Sequence, residues 1–139
     1  MQDGAVISSN STRKGTAGNI NITVRDTLQA NNGTIRTNST QTQGGAIAIR
    51  ASNIRLFGDS DIGSNVASGA GGGGSIDIKA DSILAFDDSN ILAFARDGRG
   101  GDITLDTRAF FGESYSRAPR RTDPATLNGN NRVDKLLRS

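Results

Sequence analysis

The sequence predicts an all-β chain: a right-handed parallel β-helix (β-solenoid) of about four coils of 27 to 29 residues, followed by an irregular tail. The first observation is a Gly-x-Ile-x-(Ile/Leu) core. It recurs at Gly18-Asn19-Ile20-Asn21-Ile22, Gly45-Ala46-Ile47-Ala48-Ile49, Gly74-Ser75-Ile76-Asp77-Ile78 and Gly101-Asp102-Ile103-Thr104-Leu105, at intervals of 27, 29 and 27 residues. The second is alternation around each core, as in Ile76-Asp77-Ile78-Lys79-Ala80, the period of a strand with one buried and one wet face. The third is punctuation. Asn, Asp, Ser and Gly cluster between the alternating stretches, where Gly and Asn take up positive φ at little cost and turn the chain.

Each period holds three apolar segments. The first carries the column Ile20, Ile47, Ile76 and Ile103 and continues to Val24, Ala51, Ala80 and Thr107. Three residues further on, Thr27, Ile54, Ile83 and Phe110 open the second segment. The third carries Val6, Ile35, Ile62 and Ile91, reached through turns at Asp3-Gly4, Asn32-Gly33, Asp59-Ser60 and Asp88-Ser89. Three strands and three corners per period stack coil on coil at about 4.8 Å, so equivalent isoleucines form ladders inside a rod.

Length varies at one corner. The gaps from the Val6 column to the next Ile-x-Ile core are 14, 12, 14 and 12 residues, while the other half of each coil is constant at 15. Insertions therefore map to the corner holding Gly15 to Gly18, Gly69 to Gly74 and Gly98 to Gly101, which reads as a flexible corner displaying variable loops. A helical solenoid does not fit, because 18 glycines and alternating cores sustain no 3.6-residue period before the tail. The Leu/Asn signature of leucine-rich repeats is absent.

The chain divides into residues 1–112, the coils, and 113–139, an irregular basic tail. Both prolines, Pro119 and Pro124, fall between Glu113 and Asn131 with Arg120-Arg121 and Asn128-Gly129-Asn130-Asn131, so this stretch reads as a loop or extended excursion. Arg132-Val133-Asp134 reads as a final strand re-entering the solenoid. Four coils without caps leave strand edges open, so residues 1–112 alone are predicted to associate end to end. Met1 to Val6 already lies inside a repeat, with no basic or apolar leader, so the chain reads as a piece of a longer protein. No apolar run approaches the roughly 18 to 20 residues of a membrane-spanning helix.

Composition removes several chemistries. Zero cysteine excludes disulfides, thiol catalysis and Cys-ligated zinc; zero histidine excludes a Ser/His/Asp triad and an imidazole base. Residues 1–112 carry ten basic and eleven acidic groups and 113–139 six and three, so the body is nearly neutral and lacks the basic stripe of a nucleic-acid binder.

What remains is weighed against simpler roles. Asp59, Asp61, Asp87 and Asp88 are the carboxylates a carbohydrate-active β-helix enzyme would cluster, since the turn column places Asp59 beside Asp88 one coil away. Their plainer role is to cap turns by bonding to nearby backbone. Asp97-Gly98-Arg99-Gly100-Gly101-Asp102-Ile103-Thr104-Leu105 departs from the calcium nonapeptide at Asp97 and Thr104 and does not repeat at nine residues. Gly71 to Gly74 lacks the Lys-Ser/Thr of a phosphate loop and reads as a corner. The Asn-x-Thr sequons at Asn10, Asn21, Asn32 and Asn38 follow from composition. Phe57 and Phe86 share a column with Ala30 one coil before, an aromatic ladder or core filler before a ligand platform. Arg117, Arg120 and Arg121 read as a solvated loop that could touch an anionic surface. The residues therefore assign no catalytic, cofactor or metal position.

The coil pattern, the Asp/Asn-Gly/Ser-x-Ile turn, the stretch Gly101 to Gly112 and the stretch Thr122 to Asp134 together resemble filamentous haemagglutinin-like exoproteins of bacterial two-partner secretion, in a version abundant in cyanobacteria. The resemblance implies a secreted, cell-surface structural or adhesive protein, exported through an outer-membrane barrel. It implies partners among cell-surface glycans or proteins, or further copies of the rod through its coil edges, with no nucleic acid, no membrane span and no cofactor. A carbohydrate-active enzyme and a non-functional remnant of a longer reading frame stay open as alternatives.

Overall fold

A computed structural model describes residues 1–41, 43–67, 72–96, 100–112 and 125–128. The described chain is all β, with parallel strands stacked as a β-solenoid of about four turns. Strand β1 (Val6–Ser11) opens it, followed by β2 (Ile20–Thr23), β3 (Thr27–Asn31) and β4 (Thr34–Ser39) in one coil. The next coil holds β5 (Ile47–Arg50), β6 (Asn53–Phe57) and β7 (Asp61–Val66). In the third coil the first two segments fuse into β8 (Ile76–Ala85), followed by β9 (Asn90–Ala95). A second fused strand, β10 (Ile103–Gly112), pairs with β8, and β11 (Ala125–Asn128) comes last. No helix among the described residues is long and apolar enough to cross a membrane.

Two sheets result. One runs β1-β4-β7-β9-β11; the other joins β2, β5, β8, β6 and β3, with β10 beside β8. The core ladders follow the expected columns, Ile20 on Ile47 on Ile76 on Ile103 and Ile35 on Ile62 on Ile91. Inner rungs are sealed and outer rungs are not, since Ile47 and Ile76 are 0% exposed and Ile20 and Ile103 8%. Each coil buries its apolar face only against its neighbours, as a solenoid must.

Three register positions differ from the sequence reading by one residue. Ile7, not Val6, pairs with Ile35 and takes the inward column, while Val6 pairs with Thr34 on the outer face and is 53% exposed. Leu28, not Thr27, pairs with Ile54 and enters the core. Asn31, not Ala30, precedes Phe57 in the outer column that Phe86 continues. The last two shifts share a cause. The corner at Arg25-Asp26 is one residue longer than its counterpart at Ser52, and the following turn at Asn32-Gly33 one shorter than Gly58-Asp59-Ser60. The two changes cancel, so the constant half-coil length conceals them.

The turns behave as their composition demands. Asp3, Asn32, Asp59, Asp87 and Asp88 all have φ between 53° and 59°, the left-handed region that Asn and Asp tolerate best after Gly. Ser60 and Ser89 follow them and are fully buried. The Gly33 amide donates to Ser60 Oγ at 3.1 Å and the Ser60 amide to Ser89 Oγ at 3.0 Å, so this corner is bonded along the rod axis by hydroxyls.

The glycine corner is packed where it is described, contrary to the flexible corner expected from sequence. Gly44, Gly45, Gly73 and Gly74 are buried, and their φ angles are not positive, so conformational freedom is not what selects them. A Cβ on Gly45 would collide with the Gly18 carbonyl oxygen, on Gly74 with that of Gly45, and on Gly101 with that of Gly74. Only a residue without a side chain lets successive coils approach this closely. Gly69 to Gly71 and Gly98 lie outside the described residues, as do Asp97, Arg99 and 132–134.

Part of the tail is ordered as a strand within what the sequence suggests is a loop. Ala125–Asn128 pairs antiparallel with β9, Ala125 opposite Ala93 and Asn128 opposite Asn90. Arg117, Arg120 and Arg121 lie outside the described residues.

Candidate functional site

Buried hydroxyls on the inner side of the first sheet secure the face that is exposed. Thr37 and Ser64 alternate in phase with Ile35 and Ile62 and therefore point inward, where both are fully buried. Thr37 Oγ1 donates to the Gly45 carbonyl oxygen at 2.8 Å, and the Gly74 amide donates to Ser64 Oγ at 3.0 Å. The hydroxyls thus tie this sheet to the glycine corner. A buried hydroxyl without such partners costs about 1 to 3 kcal/mol, so their pairing is a condition of the fold.

On the outer side, three neighbouring strands present a square of side chains. Register places Thr34, Arg36 and Asn38 of β4 against Asp61, Gly63 and Asn65 of β7, and these against Asn90, Leu92 and Phe94 of β9. The central position is Gly63, so the square has a notch at its middle. The groove around it is open and about 530 Å³, within the range of small-ligand sites. A Cβ built on Gly63 would meet nothing nearer than the Leu92 carbonyl oxygen at 3.6 Å, an ordinary contact. Gly63 is therefore not demanded by packing, unlike the corner glycines.

Polar groups in this square are partly matched. Asn38 Nδ2 donates to Asn10 Oδ1 at 2.8 Å, beginning an asparagine ladder along the rod. The ladder continues to Asn65 and then meets Phe94, which offers no donor. Asn65 Oδ1 is buried and has no hydrogen-bond partner. Asn90 Nδ2 donates to Asp61 Oδ1 at 3.1 Å. Burial pushes the half-buried Asp61 carboxyl above its ordinary value and the nearby Asp59 charge adds to this, while the bonds from Asn90 oppose it.

A pH dependence follows from Asp61. Its pKa is higher folded than unfolded, so the folded chain binds more protons between the two values and stability falls as pH rises through that window. Asp61→Asn, which keeps an oxygen for Asn90, is expected to raise the melting temperature slightly at about pH 7 and to leave it nearly unchanged at about pH 3. Thermal melts of both proteins at the two pH values check this.

A second groove, about 570 Å³, lies at the bend between the two halves of the other sheet, lined by Arg25, Arg50, Lys79, Asp81, Asp106 and Arg108. Lys79 Nζ lies 3.5 Å from Asp106 Oδ2 and Arg108 Nε 3.8 Å from Asp81 Oδ1, both pairs solvent-exposed. Such pairs contribute little stability and offset each other's charge.

The carboxylates singled out from sequence are brought together in part. Asp61 and Asn90 are opposite each other, which sets Asp59 beside Asp88 as the turn column requires. Asp87 Oδ2 accepts from the Gly58 amide at 3.4 Å, and Asn90 Nδ2 bonds the Asp88 carbonyl at 2.6 Å. These bonds belong to the turn. Among the described residues, no group of three or more Asp or Glu side chains converges in a way that could hold a metal ion. Phe57 and Phe86 stack with ring centroids 6.1 Å apart and planes 8° from parallel, half-exposed on the outer face and not in the core.

Sequence reasoning did not single out Gly63, Asn65 or Phe94. Fold and faces together define the class of this chain: a parallel β-solenoid with hydroxyl-braced corners and polar ladders outside. Comparison with known proteins goes no further, because no family model, no curated protein and no solved structure matches the chain.

Proposed function

We propose that this chain is a non-catalytic rod segment of a secreted bacterial surface protein of the filamentous haemagglutinin-like, adhesive kind. Outside the cell it engages glycans, proteins or further copies of itself. The observation that carries this reading is the use of the corner carboxylates: Asp59, Asp87 and Asp88 occupy left-handed turn positions, and Asp87 Oδ2 is bonded to backbone. A rod of stacked coils with weakly individual, repeated outer positions binds by summing many contacts, which suits attachment. The sequence resemblance to two-partner secretion exoproteins supports export through an outer-membrane barrel. Immobilised full-length chain is expected to retain bacterial or host cells above a protein-free surface, and no retention on any cell type tried removes the adhesive reading.

One observation favours a second reading. Asp59 and Asp88 are neighbours across one coil spacing, and paired carboxylates serve glycosidic cleavage. Incubation with acidic and neutral polysaccharides, followed by assay of reducing and unsaturated ends, is expected to show no turnover. Turnover abolished by Asp88→Ala would install the enzyme in place of the adhesin.

A further inference from the structure

We propose that the Gly63 notch on the outer face of the first sheet binds an uncharged sugar residue within a glycan chain, a site that gives the adhesive reading above a specific location and ligand class. The face has no free backbone to offer, because β4 and β7 are each paired on both sides. A peptide therefore cannot add as a strand, and recognition rests on side chains alone.

Those side chains specify the ligand. Along β7 the notch is bounded by Asp61 and Asn65, and across the strands by Arg36 and Leu92, with Phe94 diagonal to it. At the rim of the notch Asp61 brings an acceptor, Arg36 brings donors, and the Asn65 side chain is an amide. A ligand rich in hydroxyls, each able to donate and to accept, matches this mixed set of donors and acceptors. Arg36 and Asp61 cancel in charge, so no net field selects a charged chain. Leu92 and Phe94 supply apolar surface on the same side, matching the C–H face of a pyranose. Two rungs separate Arg36 from Leu92, roughly 9 to 10 Å between backbones, which admits one six-membered ring.

Gly63 makes the test clean, because its Cβ has room and only a longer side chain would fill the notch. The full 139-residue chain, labelled with ¹⁵N, is titrated with cellotetraose, maltotetraose and mannotetraose, and with tetragalacturonate as the charged probe. At least one neutral oligosaccharide is expected to shift the amides of Gly63, Asn65 and Leu92 saturably. Gly63→Leu should abolish those shifts while the variant melts as the parent does. If no neutral oligosaccharide binds, if binding survives Gly63→Leu, or if tetragalacturonate alone binds there, the proposal is overturned. Cell retention unchanged by Gly63→Leu together with absent shifts removes this site and leaves the adhesive reading standing. Absent cell retention beside intact shifts does the reverse.

Discussion

Gly74→Ala is expected to destabilise the solenoid by at least about 3 kcal/mol, the upper end of what overpacking costs, and to lower its melting temperature by about 10 °C or more. The Cβ would run into the Gly45 carbonyl oxygen and the Gly45 carbonyl carbon behind it, both backbone atoms of the neighbouring coil. Backbone held in a ladder cannot swing aside as a lysine tip can. It would also press within 2.6 Å of Ser64 Oγ, the hydroxyl that accepts from the Gly74 amide at 3.0 Å. Moving the coil away to relieve one contact breaks the other, and a domain stable by only about 5 to 15 kcal/mol has little reserve. Gly63→Ala serves as the matched control, expected within about 0.5 kcal/mol of the parent because its Cβ makes only an ordinary contact with the Leu92 carbonyl oxygen. Urea and thermal unfolding of the three proteins check the pair. Equal stability of Gly74→Ala and the parent would mean that the coils are not in contact at this corner.

The contrast between these two glycines shows how far a sequence of this kind can be read. Gly45, Gly74 and Gly101 recur with the isoleucines, so their periodicity marks them as structural before any coordinates are known. Their physical reason is not the one composition suggests: a glycine-rich corner suggests freedom, and the coil contacts show crowding. Gly63 carries no periodic mark. Its column holds Ser8, Arg36 and Leu92, and its meaning emerges only when β4 and β9 are laid beside it in register. A notch is a property of neighbours, and neighbours one coil apart are about 28 residues apart in sequence.

Register errors have the same origin. In Val6-Ile7-Ser8-Ser9 two apolar residues are followed by two polar ones, so alternation does not say which valine or isoleucine points inward. The pairing of Ile7 with Ile35 decides it. Buried Thr37, Ser39 and Ser64 were legible in principle, because each keeps the parity of Ile35 or Ile62 along its strand. Polar identity argued for the surface, and parity argued for the interior. Parity prevails because hydroxyls can bond backbone oxygen and nitrogen inside the coil, as Thr37 and Ser64 do with Gly45 and Gly74.

Deleting residues 113–139 is expected to convert the chain into open-ended assemblies, the outcome predicted for the bare coils. In the full chain β11 occupies the outer edge of β9, and it runs antiparallel, against the direction of every coil strand in that sheet. Another copy presenting β1 in the parallel sense finds that edge taken. The β1 edge itself has no strand partner among the described residues and carries Val6 and Ile7, 53% and 39% exposed. With one edge of this sheet free, two copies can join through this sheet only edge to like edge, which closes as a pair. Removing β11 frees the opposite edge, and β9 of one copy can then accept β1 of the next in continuation of the coil. Such a contact is heterologous and does not close, so it propagates. Sedimentation and light scattering across a concentration series should show the full chain at one or two copies and the deleted chain growing with concentration. Leu92→Lys in the deleted chain places a charge on the outer face of the freed strand and is expected to suppress the growth. A deleted chain that stays at the mass of the parent would show that β11 guards nothing, and that the coil ends are protected by some other feature of the rod.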